Sequence, residues 1–378
     1  MKIMIAPDSF KESLSTVEVV DSIARGIKKV KPGADIIKVP MADGGEGTVQ
    51  ALTAGAGGEI FQQKVTGPLG DEVEAFFGIL GEGRTAVIEM AAASGLPLVP
   101  EEKRDPTRTT TLGTGELIAA ALDKGVDKII LGIGGSATND AGVGLAQALG
   151  AEFKNTEGRE VGPGGGKLSE IASIDLSGLD SRLQEVDIEA ACDVDNPLYG
   201  PEGAAYVYAP QKGADEEMTA LLDENLRHLS EIIKKELGRD IQQIPGSGAA
   251  GGLGAGLVAF LGAELRPGVE IVLEVNDVYD KIKDVDLVFT GEGKIDDQTL
   301  QGKTVSGIAQ TAGAHNIPVI ALCGAAGRGA DSILSAGITA FFPIIQDILP
   351  RREIYENTSL WLERTARQIM RVLELNIS

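Results

Sequence analysis

Apolar residues follow two rhythms along this chain, and the rhythms alternate. Lys2 to Ala6 and Ile36 to Val39 are short apolar runs of strand type. Between them Val17, Val20, Ile23, Ala24, Ile27 and Val30 recur at the three- and four-residue spacing of an amphipathic helix. Strand, helix and strand in that order predict a βαβ unit, in which two parallel strands are joined by a crossover helix. The pattern returns with a helix over about 114 to 123, a strand over Lys128 to Ile133 and a glycine-bounded helix over about 141 to 149. It returns again where Val285 to Thr290, Pro318 to Cys323 and Ile338 to Pro343 read as strands, closed by a helix over about 358 to 374.

These pieces predict an α/β fold with a doubly wound, mostly parallel sheet, built from residues 1–58, 106–150 and 284–378. The intervening texture differs. Glu59 to Met90 has short β-like runs between glycine-rich turns, and 151 to 280 is glycine-rich and irregular. Residues 59–105 and 151–283 therefore predict a second α/β domain, inserted discontinuously into the first. A length of 378 residues agrees, because it exceeds what one hydrophobic core usually organises.

Composition narrows the function classes. Hydrophobic residues make up 43% and no apolar run approaches the roughly 20 residues of a membrane span. The first residues read as a strand rather than a signal peptide. With 34 basic and 56 acidic side chains, a formal charge of −22 disfavours nucleic acid and anionic lipid, whose binding rests on clustered Lys and Arg. Cys192 and Cys323 form no CxxC motif or disulfide framework, which fits a reducing cytoplasm. His228 and His315 cannot supply the clustered ligands of a zinc site, neither sits in a motif-like context, which disfavours a serine–histidine hydrolase, and His228, in a charged helical stretch, is expected to be solvated.

Candidate chemistry lies in glycine and acidic loops. In "ILGIGGSATNDAG" (130–142), Gly132, Gly134 and Gly135 end a strand, leaving room for a ligand against the main chain, whose N–H groups attract phosphate. Ser136, Thr138 and Asn139 add hydrogen bonds for phosphate or ribose, and Asp140 is a candidate helix cap. The same residues also make a tight strand-to-helix turn, and spacing alone does not choose. "TGEGKIDDQTLQGKT" (290–304) again follows a strand and presents the charges of a phosphate-handling loop or of a polar turn. Its end nearly matches a P-loop, but Asp297 stands where that motif requires glycine. "GSGAAGGLGAG" (246–256) reads as an anion cradle or as close packing that needs small residues. "MADGGEGT" (41–48) and "CDVDNPLYG" (192–200) place carboxylates beside glycine or proline, as Mg²⁺ ligands or turn residues. "APDSFKESLS" sets Asp8, Ser9 and Lys11 past the first strand, before a helix capped by Ser15; Lys11 there is either solvated or holds a carboxylate or phosphate.

In this order the six motifs resemble the series found in type I glycerate kinases, from Lys2 to about residue 375. The resemblance implies an ATP-dependent kinase of D-glycerate, with 2-phosphoglycerate favoured as product, a flavodoxin-like domain carrying an inserted α/β domain, and a site in the interdomain cleft. It further implies that Gly134, Gly135, Ser136, Thr138 and Asn139, with Gly291, Glu292 and Gly293, bind the nucleotide. Asp8, Ser9 and Lys11 would bind substrate, Asp43 and Asp296 would help hold Mg²⁺, and Asp193 would be the base, with Lys11 or Lys294 neutralising the transferring phosphoryl group. One departure stands out: the family's usual SFKGS is SFKES here, with Glu12 in place of glycine. A kinase of another small hydroxy acid and a non-catalytic nucleotide or metabolite binder are the rival readings. An NAD-linked dehydrogenase is disfavoured because Ala6-Pro7-Asp8-Ser9-Phe10, not GxGxxG, follows the first strand.

Overall fold

The computed structural model describes residues 1–300 and 304–375, so Gln301, Gly302 and Lys303 of the near-P-loop lie outside the described residues. The strands are β1 (Lys2–Ile5), β2 (Asp35–Lys38), β3 (Gly58–Thr66), β4 (Glu72–Leu80), β5 (Thr85–Glu89), β6 (Lys128–Gly132), β7 (Glu152–Lys154), β8 (Ser173–Asp175), β9 (Asp187–Ala191), β10 (Glu264–Arg266), β11 (Leu287–Ile295), β12 (Val319–Ala326) and β13 (Ala340–Pro343). They divide between two compact units, one of Met1–Asp43, Gln50–Gly57 and Val269–Ser378, the other of Gly44–Val49 and Gly58–Gly268.

The first unit holds one all-parallel sheet in the order β13-β12-β11-β1-β2. Numbered within the unit, that is the 2-1-3-4-5 order of flavodoxin-type sheets. Winding reverses between β1 and β11, so their carboxyl ends flank the switch point where such sheets take ligands. The sheet's core gathers Ile3, Ile5, Ile23, Phe289 and Leu322 with Trp361 and Leu362 of the helix Arg351–Leu373. That helix lies so close to the helix Thr16–Lys28 that a Cβ on Gly26 would stand 2.3 Å from the Glu363 carbonyl.

Ser15 begins the helix Thr16–Lys28 as a capping box: its hydroxyl accepts the Glu18 N–H at 3.4 Å, while the Ser15 N–H reaches the Glu18 carboxylate at 2.9 Å. Ser15→Ala should lower unfolding free energy by about 1 kcal/mol. Trp361, the single tryptophan and buried in this unit's core, reports the urea transition; an unmoved midpoint would show the cap to be idle.

The second unit holds a mixed sheet in the order β10-β9-β6-β5-β4-β3, parallel from β5 through β10 and antiparallel across β3-β4-β5. A separate antiparallel pair is formed by β7 and β8. One core packs Phe77, Ile88, Leu117, Ile129 and Leu131. A second surrounds the helix Glu216–Leu237, where Leu222, Leu226 and Leu229 meet Phe153 and Phe260.

The domain bounds and one histidine differ from expectation. Residues 106–150 do not join the first unit, because β6 sits between β5 and β9. Its Ile129, Ile130 and Leu131 are fully buried, and such a run identifies a central parallel strand without naming its neighbours. Residues 269–283 belong to the first unit rather than to the inserted region, while Gly44–Val49 and Gly58, expected in the first, belong to the second. His228 is half-buried, its Nε2 2.7 Å from the Ile171 carbonyl, rather than solvated. No helix among the described residues is long and apolar enough to cross a membrane.

Candidate active site

In the first unit the carboxyl ends of β1 and β11 bring several expected residues together. The Asp8 N–H donates to the Gly291 carbonyl at 2.8 Å, and the place a Cβ would take on Gly293 is 3.6 Å from the main-chain nitrogen of Lys11. The Asp8 carboxylate accepts the Ser9 N–H at 2.5 Å and the Thr304 hydroxyl at 3.1 Å. Lys11 Nζ stands 3.8 Å from Asp43, with the lysine largely exposed. Burial, seconded by the Asp43 charge, raises the Asp8 carboxyl to about 6, against the lowering pull of the Ser9 N–H, Lys11 and Thr304. Thr304, at the start of the helix Thr304–Gly313, carries no sequence signal for this contact, since its only local pattern is the end of the near-P-loop.

The stretch 290–295 proves to be strand, not loop. β11 runs on through Gly291, Glu292, Gly293 and Lys294 in register with β12 from Leu322 to Ala326. Glycine at 291 follows from that pairing, since a Cβ would stand 2.0 Å from the Leu322 carbonyl. Lys294 Nζ binds the carboxylate of Asp296, just past the strand's end, at 2.7 Å, which raises the lysine's pKa. Glu12, the departure from the glycerate kinase pattern, has φ +66°, a left-handed conformation that glycine adopts freely. Its carboxylate is held by Arg351 at 2.5 Å and by the Tyr355 hydroxyl at 3.2 Å.

In the second unit the adjacent ends of β6 and β9 lead to Gly134 and Asp193 respectively. Gly134 and Gly135 are exposed, whereas Ser136 through Asp140 are buried. The room beside Gly132 is filled by protein: a Cβ there would lie 2.4 Å from the Gly44 carbonyl, and one on Gly134 would lie 3.2 Å from the Gly45 Cα. The Ala137 N–H is also committed, donating to the Ser94 carbonyl at 2.9 Å. The glycines of 246–256 likewise serve packing, the Gly251 carbonyl accepting the Ala141 N–H at 3.1 Å and Gly256 facing the Ala141 carbonyl. Asp193 is exposed, and its Oδ1 accepts the Gly268 N–H at 2.8 Å.

Three buried charges in this unit were not singled out as functional. Asp140 does not occupy the cap position, which is Gly142; its carboxylate takes the Thr111 N–H at 2.8 Å, the Thr111 hydroxyl at 2.9 Å and the Gly142 N–H at 3.2 Å. Burial raises its pKa and these bonds oppose the rise. Lys212 is buried, with Nζ 2.6 Å from both Ser136 Oγ and the Thr138 carbonyl. Glu89, at the end of β5, accepts the Val49 N–H at 2.8 Å near the start of the helix Thr48–Ala56. A lysine or glutamate is read as solvated by default, and nothing in one sequence marks these as buried. Beside them the Thr138 hydroxyl and both polar atoms of the Asn139 amide are buried and meet no hydrogen-bond partner.

No group of three or more His, Cys, Asp or Glu disposed to hold a metal ion occurs among the described residues. Mg²⁺ needs no such cage, since it commonly takes one or two carboxylates and completes its shell with phosphate and water. Asp43 and Asp296 fit that role by chemistry: each presents carboxylate oxygen beside a lysine, Lys11 or Lys294, whose charge suits a phosphate.

A sequence model described as "Glycerate kinase family" matches residues 3–374. The chain is 54% identical over 375 residues to the protein named glycerate kinase in Bacillus subtilis (strain 168), covering 99% of this chain and 98% of that one. It is 50% identical over 377 residues to glycerate 2-kinase of Escherichia coli (strain K12), covering 100% and 99%. Among solved structures it is similar to one provisionally named glycerate kinase 2 from Salmonella typhimurium LT2, with TM-score 0.92, 49% identity and coverage of 99% and 98%.

Proposed function

Because the chain belongs to the glycerate kinase family and is a kinase, we propose that it transfers the γ-phosphoryl group of ATP to the 2-hydroxyl of D-glycerate, giving 2-phosphoglycerate and ADP. The observation that carries this reading is likeness along the whole chain, 54% and 50% identical, to proteins named glycerate kinase and glycerate 2-kinase. Two free cysteines suit a cytoplasmic setting.

Phosphoryl transfer asks little covalent help of a protein; it asks for positioning, neutralisation of charge and an acceptor for the hydroxyl proton. In this reading Lys11 holds the glycerate carboxylate, with Asp8 and Ser9 beside it as hydrogen-bond partners for the hydroxyls. Asp193 takes the proton of the 2-hydroxyl as its oxygen bonds to the γ-phosphorus and the bond from that phosphorus to the ADP oxygen breaks. The exposed main chain of Gly134 and Gly135, the Ser136, Thr138 and Asn139 side chains and the Gly291-Glu292-Gly293 stretch bind the nucleotide. Lys294 stands ready for the charge on the transferring group. Asp43 and Asp296 would hold Mg²⁺, which when bound offsets phosphate charge.

Phosphorus NMR of the products from MgATP and D-glycerate tests the whole. 2-Phosphoglycerate with stoichiometric ADP is the expected result, and 3-phosphoglycerate would correct the position. Intact ATP with glycerate present would overturn the proposal, while at least tenfold faster turnover of another hydroxy acid would transfer it to that substrate.

A further inference from the structure

We infer that Lys212 is a positioning residue for the nucleotide loop Gly134–Asn139, a buried tether that sets the loop's shape from behind; the inference rests on the nucleotide-binding reading of that loop. A lysine is rarely buried unless it is paired, because removing an ammonium group from water is costly. Here the side chain is 2% exposed, and its two hydrogen bonds go to a hydroxyl and a carbonyl rather than to a carboxylate. Both acceptors, Ser136 Oγ and the Thr138 carbonyl, belong to the loop, at 2.6 Å each. An isosteric methionine would fill the same space without the desolvation cost, so the ammonium's return lies in those two bonds.

The tether is itself anchored. Lys212 ends a tight turn in which its N–H donates to the Ala209 carbonyl at 2.9 Å, followed by the Gly213 N–H to Pro210 at 3.1 Å. Gly213 has φ +100° and faces the Arg104 carbonyl so closely that a Cβ would stand 2.3 Å away. The opposite charge acting on the ammonium is Asp140, fixed in turn by Thr111 and Gly142. Burial brings the Lys212 pKa down to about 7 and Asp140 opposes that shift. In the same loop the Thr138 hydroxyl and the Asn139 amide are buried and unmatched within the protein. Polar groups held in this state carry hydrogen-bonding capacity that a bound ligand can satisfy, provided the loop keeps its shape.

Lys212→Met should therefore weaken a non-hydrolysable ATP analogue at least tenfold in calorimetric Kd and raise KM for ATP in parallel. The KM for glycerate, and kcat at saturating ATP, should stay within about threefold, a split that general loss of structure would not produce. A Kd within twofold of wild type would overturn the inference. Should the methionine variant not fold, wild-type protein with labelled lysine side chains gives a second reading: the Lys212 signal must shift on saturation with the analogue, and an unmoved signal is equally fatal. Wild-type protein that binds no nucleotide would sink the reading beneath this one, a result distinct from normal nucleotide binding by Lys212→Met.

Discussion

Asp193→Asn is expected to lower kcat by at least a hundredfold while leaving the melting temperature within about 2 °C of wild type, since a positioned base is worth about 10²–10⁴ in rate. Asp193 is exposed, and the bond it accepts from the Gly268 N–H survives, because an amide oxygen also accepts. What asparagine cannot do is take a proton at neutral pH. The readout is steady-state turnover with MgATP and D-glycerate beside a calorimetric melt. Turnover near wild type would remove Asp193 from the chemistry and turn attention to Asp8, the site carboxyl that burial has raised to about 6. A cation at Asp43 would pull that value back down, because it favours the ionised carboxylate.

The elements most legible in the sequence were those whose apolar residues are buried in a regular rhythm. β1 and β6 are such cases, with Ile3, Met4, Ile5, Ile129, Ile130 and Leu131 all fully buried. The helix Thr16–Lys28 was legible to its Ser15 cap, whereas the return bond from Glu18 that completes the capping box emerges only in the structure. Partnership was not legible. A run buried on both faces looks the same in either sheet, so β6 was placed with the wrong strands. The last half of β11 was missed because glycine and charge carry little strand preference; β12 imposes the pairing from outside. The closing helix begins at Arg351, seven residues before the expected start, on a polar turn with little apolar signal.

For the candidate site, the sequence exposed what lies near strand ends and hid what supports it. Asp8, Lys11 and Asp43 were visible as charges beside breaks in apolar runs, and the structure sets Lys11 against Asp43, with the Asp43 charge acting on Asp8. Lys212 and Thr304 reach their partners across 74 and 296 positions of chain respectively, a separation no local pattern records. Glycine was the most ambiguous letter. In "GIGGSATNDAG" only Gly134 and Gly135 are exposed, and Gly132 is required by the main chain of Gly44. The supporting shell is thus built from close main-chain contacts and buried charge, both set by tertiary packing.

Gly251→Ala should be among the most damaging single-methyl changes in the second unit, destabilising it by about 3–5 kcal/mol through overpacking and a disfavoured backbone conformation. Gly251 has φ +73°, and a Cβ there would stand 2.0 Å from the Thr138 carbonyl and 2.7 Å from the Asn139 Cα. Neither neighbour is a side chain that can swing aside, so the backbone of the loop must move. The displaced carbonyl is the one that accepts the Lys212 ammonium. Gly238→Ala separates the two causes: Gly238 has φ +68° at the end of the helix Glu216–Leu237, but a Cβ there would meet nothing within 4 Å. It should cost only about 1–2 kcal/mol, the conformational share alone. Calorimetric melts of both variants give the difference, which measures the steric contact; equal losses would show that the Thr138–Asn139 backbone yields freely. Calorimetric titration should further show ATP-analogue affinity lost in Gly251→Ala and retained in Gly238→Ala, because only the first displaces the carbonyl that Lys212 holds.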